Sequence, residues 1–216
     1  MGDRKVLPPG KWRTAWGLAI MLTIATMFVP PSGAHADEGC AVVDVVVARG
    51  TGEPGWLGEE VGDPLYGMLQ DRLPVSTSSY RVNYPADYRF AVGAGSADLV
   101  GHLAAQAAAC PDQEFVLVGY SQGAAVVHAA LGTGVVSWYP GRVQLPGDLG
   151  TRVAAVLLFG DPVRGLDWNV PGAYLSRTGD WCTGGDPICG SGMDADAHVA
   201  YGSDLVEAAN FAADHI

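Results

Sequence analysis

Short, almost unbroken apolar runs alternate along this chain with longer segments whose apolar positions recur every three or four residues. Ala41 to Ala48 is nearly all Val and Ala, interrupted by Asp44, and Phe115-Val116-Leu117-Val118 and Val153 to Phe159 are of the same kind. Such runs predict strands buried on both faces of a parallel sheet. Tyr80 to Tyr84 alternates as a short strand, and Ala173 to Arg177 predicts a shorter one. Between them, Ser96 to Cys110 places Val100, Leu103, Ala104 and Ala107 at i, i+3, i+4 and i+7, the signature of one helix face. Asp63 to Leu73 predicts a helix with Asp63 as N-cap and Pro64 at its first position. Gln122 to Leu131 and Ser203 to Ile216 predict two more, the last with Leu205, Ala209, Ala212 and Ile216 facing inward. Strands alternating with helices predict an α/β fold, a three-layer α/β/α sandwich on a central, mainly parallel sheet.

The first 36 residues follow another pattern. Arg4, Lys5, Lys11 and Arg13 precede an apolar core of 14 residues, Trp16 to Val29, which Pro30-Pro31 ends. Ala34-His35-Ala36 then supplies small residues for cleavage, so residues 1–36 read as a secretory signal peptide. As a helix that core would reach only about 21 Å, short of the ~30 Å hydrocarbon layer. Removal of the leader leaves a single domain, residues 37–216. No other segment is long and apolar enough to span, so no stable membrane span is expected. The predicted location is extracellular or at the cell envelope.

Charge narrows the partners. Of 23 acidic and 12 basic residues, one acid and four bases fall in the leader, so 22 against 8 leaves the remainder at −14. All eight of those bases are arginine. Attraction to nucleic acid or anionic lipid by charge is excluded. The four cysteines, Cys40, Cys110, Cys182 and Cys189, all follow the leader, and an even count in an exported chain predicts two disulfides. Three pairings are possible. Cys182 and Cys189 are seven apart and could close a small loop, which would leave Cys40 with Cys110.

Chemistry enters at Gly119-Tyr120-Ser121-Gln122-Gly123, a G-x-S-x-G pentapeptide between an apolar strand and an alanine-rich helix. A serine on that turn has its hydroxyl pushed clear of the backbone, but it needs a base, and the base needs an orienting acid. His128 lies seven residues into the same helix, about 10 Å along its axis, too far to reach back. His102 falls within an earlier helix and His215 next to the chain end. His198 follows a Gly/Asp-rich loop late in the chain, where the order Ser…Asp…His requires the base. Two acids compete on the residues alone: Asp186, inside the Cys182–Cys189 stretch, and Asp161, directly after a strand. The backbone N–H of Gln122 and the Arg49-Gly50-Thr51-Gly52 turn, with the Thr51 hydroxyl, are candidate donors for an oxyanion. No metal or cofactor is expected: Asp194-Ala195-Asp196-Ala197-His198 lacks a second histidine at ligand spacing, and neither H-E-x-x-H nor a phosphate-binding loop occurs.

Four segments now carry a family likeness: Ala48-Arg49-Gly50-Thr51-Gly52-Glu53-Pro54, Gly119 to Ala124, Cys182-Thr183-Gly184-Gly185-Asp186-Pro187-Ile188-Cys189, and Ala197-His198-Val199-Ala200-Tyr201. In this order and number they resemble the cutinase family, secreted serine esterases of the α/β-hydrolase superfamily. The resemblance implies Ser121 as nucleophile, Asp186 as acid and His198 as base, with Thr51 and Gln122 forming the oxyanion hole. It implies disulfides Cys40–Cys110 and Cys182–Cys189, a five-stranded sheet and no large lid. It implies hydrolysis of short- to medium-chain esters, with lipase or phospholipase activity in some members. The implied partner is an ester or lipid substrate; the chain is expected to be a monomer. An acetylxylan-type carbohydrate esterase or a secreted acyltransferase would use the same residues. The loops Tyr84–Phe90 and Trp56–Leu57 are expected to rim the site.

Overall fold

The computed structural model of the chain describes Gly2 and residues 39–216; the rest of the expected leader lies outside the described residues. Five strands, β1 (Val43–Ala48), β2 (Thr77–Arg81), β3 (Glu114–Tyr120), β4 (Val153–Phe159) and β5 (Thr178–Trp181), form one sheet in the order β2-β1-β3-β4-β5. Every neighbouring pair is parallel. Helices α1 (Gly62–Arg72), α2 (Val92–Ala109), α3 (Gln122–Leu131), the single-turn α4 (Gly147–Gly150) and α5 (Leu205–Ala213) complete the chain order. The result is the predicted three-layer sandwich.

The period of two along each strand sorts the core into its layers. Val43, Val45 and Val47 of β1 join Val116, Val118, Leu157 and Phe159 in a cluster with α1 and α5. The alternate residues Val46, Ala48, Leu117, Val156 and Leu158 face α2 and α3. Burial on both sides explains why β1, β3 and β4 are legible as continuous apolar runs. A disulfide joins Cys40, before β1, to Cys110 at the end of α2, and a second joins Cys182 to Cys189 just after β5.

Several elements differ from expectation. The segment predicted as a strand, Ala173–Arg177, lies in a 3-10 turn spanning Gly172–Arg177, and the edge strand follows it as β5. Edge strand β2 begins at Thr77 rather than Tyr80. Helix α2 starts four residues earlier than Ser96, and its buried side runs through Val92, Ser96, Leu99 and Leu103 while Ala104 is exposed. Asp63 is not an N-cap. It sits inside α1, and its carboxylate accepts the Trp56 and Leu57 N–H groups at 3.1 and 2.9 Å, so it ties down the preceding loop instead. Helix α5 ends at Ala213, with Leu205, Ala209 and Ala212 buried as predicted and Ile216 beyond it, partly exposed.

Candidate active site

Ser121 stands between the last residue of β3 and the first of α3, with φ 54° and ψ −118°. That left-handed φ is strained for a residue bearing a Cβ. It is held by the Ser121 N–H donating to the Phe159 carbonyl of β4 at 2.9 Å and by the Ala124 N–H returning to the Ser121 carbonyl at 3.0 Å. Two residues on, a Cβ at Gly123 would lie 1.8 Å from the Ala48 carbonyl oxygen. Only glycine lets α3 cross the end of β1 there, and the crossing lifts the serine hydroxyl above the carboxyl edge of the sheet.

His198 arrives on a 3-10 turn, Ala195–Val199, whose first turn is capped by the Asp194 carboxylate accepting from the Asp196 N–H at 3.0 Å. Its Nε2 is 2.9 Å from Ser121 Oγ. Its Nδ1 is 2.7 Å from Asp186 Oδ2. Its carbonyl accepts the Tyr120 hydroxyl at 2.6 Å, which fastens the loop to the strand that delivers the serine. The imidazole lies against Gly160, where a Cβ would meet His198 Cε1 at 2.7 Å and where φ is +54°. A glycine is required there on both grounds.

Asp186 is 1 % exposed. Its Oδ1 accepts the Ile188 N–H at 2.6 Å, and its Oδ2 receives the Tyr201 hydroxyl at 2.5 Å besides His198. Burial works to raise this carboxyl, but the donors from Tyr201, His198 and Ile188 outweigh it and hold the group below the usual aspartate value. The seven-residue disulfide loop carries the carboxylate to the imidazole.

The other candidates go elsewhere. Asp161, the competing acid, accepts from His128 Nε2 at 2.9 Å and from the Val163 and Arg164 N–H groups at 2.9 and 3.1 Å. It closes a turn and hydrogen-bonds a buried histidine, whose other ring nitrogen, Nδ1, is 2.8 Å from Thr133 Oγ1. His102 bonds the buried Asp44 at 2.7 Å and stacks on Tyr80. His215 contacts the carbonyls of Phe211 and Ser176.

Thr51 and Gln122 both border the cavity above Ser121. The Gln122 amide donates to the Asp87 carbonyl at 3.1 Å, and Thr51 Oγ1 is 3.5 Å from Gln122 Oε1. The loop bearing Thr51 is braced by a buried acid two residues on. Glu53 accepts the Gly50 N–H at 2.6 Å and the Glu60 N–H at 2.9 Å. Burial raises its carboxyl despite those bonds. Its only visible signal was an acid placed within a glycine turn.

The cavity holds about 410 Å³. Ser121 and His198 lie partly exposed in it, with Tyr88, Phe90, Tyr139 and Ile188 around them. The Tyr84–Phe90 loop therefore rims the site as expected, whereas Trp56 and Leu57 do not. Leu57 is in the core beneath β1, and Trp56 packs on the Arg81 guanidinium, 5.0 Å from its ring. A smaller cavity of about 110 Å³ adjoins the first, sharing Ala125, Tyr139 and Pro162.

A parallel sheet with a strained serine at a strand-to-helix turn, contacted by a late histidine, defines an α/β-hydrolase. The sequence matches the family model Cutinase over residues 39–216, and the chain belongs to that family of carboxylic-ester hydrolases. It is 36 % identical to Phospholipase Culp4 of Mycobacterium tuberculosis over 222 residues, covering 96 % of each protein. It is 35 % identical to Carboxylesterase Culp1 of the same species over 216 residues, covering 93 % of this chain and 94 % of that one. Among solved structures, the cutinase of Trichoderma reesei in complex with a C11Y4 phosphonate inhibitor superposes with a TM-score of 0.67. That match has 30 % identity and covers 81 % of this chain and 76 % of the other.

Proposed function

We propose that this ester hydrolase cleaves short- to medium-chain acyl esters through a covalent acyl-Ser121. The observation that carries the reading is the contact series Ser121 Oγ to His198 Nε2, 2.9 Å, and His198 Nδ1 to Asp186 Oδ2, 2.7 Å. His198 takes the serine proton as Oγ bonds to the ester carbonyl carbon. The tetrahedral oxyanion is received by the Gln122 N–H and by Thr51. Collapse breaks the bond to the alcohol oxygen, which leaves with the proton from His198 Nε2. Water, deprotonated by the same nitrogen, then attacks the acyl carbonyl, and collapse breaks the bond to Ser121 Oγ, which takes that proton back from His198 Nε2 as the carboxylic acid is released. Asp186 keeps Nδ1 protonated and supports the positive ring.

The lining supports an alkyl substrate over a sugar. Among the described residues no Asp, Glu, Lys or Arg side chain borders the cavity, and its rim is mainly aromatic and aliphatic. The adjoining 110 Å³ space, edged by Val135, Val136 and Leu166, gives a longer acyl chain somewhere to go. The two disulfides agree with export into an oxidising compartment.

The test is a panel of p-nitrophenyl acetate, butyrate, octanoate and palmitate, with a phosphatidylcholine arm and an added-alcohol arm. Butyrate and octanoate are expected to be turned over fastest, and Ser121→Ala to be inert with its circular dichroism unchanged. A dominant acetate rate would favour the carbohydrate esterase, and ester products from added alcohol the acyltransferase. Undiminished turnover by Ser121→Ala would reject the nucleophile.

A further inference from the structure

We infer that Tyr201 is a positioning residue for Asp186 and His198, its hydroxyl fixing the carboxylate oxygen on which the imidazole bears. The inference rests on the roles proposed above for Ser121, Asp186 and His198.

Tyr201 is 1 % exposed, and its hydroxyl donates to Asp186 Oδ2 at 2.5 Å. The same oxygen accepts His198 Nδ1 at 2.7 Å. The hydroxyl has a single proton. Of its other polar contacts, Cys189 Sγ at 3.3 Å is a disulfide sulfur with no proton to give, and the Thr183 N–H and hydroxyl act on the phenol oxygen as donors, so the phenol proton belongs to the carboxylate. With Ile188 N–H on Oδ1, both oxygens of Asp186 are held, one of them by Tyr201 and His198 together. The carboxylate cannot rotate without breaking a buried bond.

The ring itself is fixed. It stands edge-on to Phe159, with centroids 5.8 Å apart, and to Tyr120, 5.9 Å apart. Tyr120 in turn bonds the His198 carbonyl. Two tyrosines thus brace the histidine, one through its backbone and one through its acid. Tyr201 follows His198 by three residues, so a single turn delivers both donors to Oδ2. Gly160 makes room for both, since a Cβ there would stand 3.2 Å from the Tyr201 hydroxyl as well as against the imidazole.

Packing alone does not require the hydroxyl. Phenylalanine would fill the same space, and a buried hydroxyl is unfavourable unless bonded. What the hydroxyl adds is a competing donor on Oδ2. Removing it concentrates charge on that oxygen, which strengthens the bond from Nδ1 and favours the protonated ring. Burial and the Asp186 carboxylate hold the Tyr201 phenol far above its ordinary value, so it remains a donor throughout the working range. The Tyr120 phenol, the other titratable group against the imidazole, is raised by burial too, with Glu53 and Glu60 adding to the effect. Neither phenol ionises where the enzyme is assayed.

The experiment compares wild type with Tyr201→Phe and Tyr201→Leu, both as the mature, oxidised protein. The pH dependence of p-nitrophenyl butyrate hydrolysis is measured per active site titrated with a fluorophosphonate, alongside the downfield proton resonance of His198 Nδ1–H. In Tyr201→Phe, kcat is expected to fall about tenfold with KM nearly unchanged, the loss associated with one hydrogen bond. The acid limb of kcat/KM should move up by about 0.5 pH unit, and the resonance should move downfield. Tyr201→Leu should melt lower than Tyr201→Phe yet shift limb and resonance by the same amount. An acid limb and a resonance that stay in place, with only the melting temperature lowered, would overturn the inference and leave Tyr201 a packing residue. The resonance reads the Asp186–His198 contact whether or not ester is cleaved. An inert wild type would therefore count against the proposed function, while the resonance still decides for or against Tyr201.

Discussion

Ser121 is one of four non-glycine residues with positive φ among the described residues, and the cavity collects two of them, Ser121 and Phe90. Strain of this kind persists only where the surroundings over-determine it, and here β4, α3 and the end of β1 all do. The number of donors each carboxylate meets separates three acids that look alike in sequence. Asp186 is buried with donors on both oxygens and stays ionised. Asp161 is spent on His128 and a turn. Asp180 has one oxygen without a partner, with the Arg164 guanidinium 3.5 Å from the other. Burial, and Asp161 nearby, push it up to about 6. The folded state therefore holds this proton more tightly than the unfolded chain, whose aspartate titrates near 3.9. Its stabilising effect is complete below about pH 4 and is lost as pH rises through about 6. Asp180→Asn has no such slope. It should melt about 5 °C above wild type at pH 7.5, from roughly 2 kcal/mol, with the gap narrowing towards pH 4. Thermal scans at both pH values check this, and a gap that stays constant would contradict the assigned cause. Spacing could not separate Asp186 from Asp161, because both are acids in loops that follow a strand. What separates them is which histidine each faces, and that is set by the path of the disulfide loop.

The elements legible in the sequence are those buried on both faces. Strand β4 and helix α3 match their predicted limits, because an apolar run and an alanine-rich run leave little choice of boundary. The two sheet edges are not legible. Strand β2 is Thr-Ser-Ser-Tyr-Arg and β5 is Thr-Gly-Asp-Trp, half-buried and polar, and their pairing with β1 and β4 decides where they lie. The apolar letters of Ala173-Tyr174-Leu175 imitate a strand, but Tyr174 alone of them turns inward. The disulfides act on different elements. Cys40–Cys110 closes 70 residues and includes α1 and α2, whereas Cys182–Cys189 closes only seven around Asp186. Cys40→Ser with Cys110→Ser should lower stability by roughly 4 kcal/mol and leave kcat near wild type, on the chain-entropy estimate. Cys182→Ser with Cys189→Ser should lower stability by about 2 kcal/mol and reduce kcat sharply. Urea unfolding and butyrate turnover on both pairs of variants test this. Equal losses of kcat would argue that the small loop does not position the acid.

At the scale of the molecule, the sandwich brings together side chains that the chain keeps far apart. Thr51 follows β1, Ser121 follows β3, Gly160 follows β4, and Asp186 and His198 come after β5, all at the carboxyl ends of parallel strands. Alternation of strand and helix makes the sandwich legible from sequence, and chain order narrows the candidate base to His198. Closure of the loops over the sheet edge was not legible from periodicity, because loops have no period. The family likeness of four short segments points to the same three side chains that the loops bring within hydrogen-bond distance. Glu53 and Tyr201 lay within those segments, and only their contacts reveal what they brace. The most direct test of the account treats the mature protein with an alkyl fluorophosphonate and maps the adduct by peptide mass spectrometry. A single adduct on Ser121 is predicted, formed at least a thousandfold more slowly after His198→Gln, in line with the loss of a triad member. Labelling on another residue, or labelling of Ser121 undisturbed by that substitution, would contradict it.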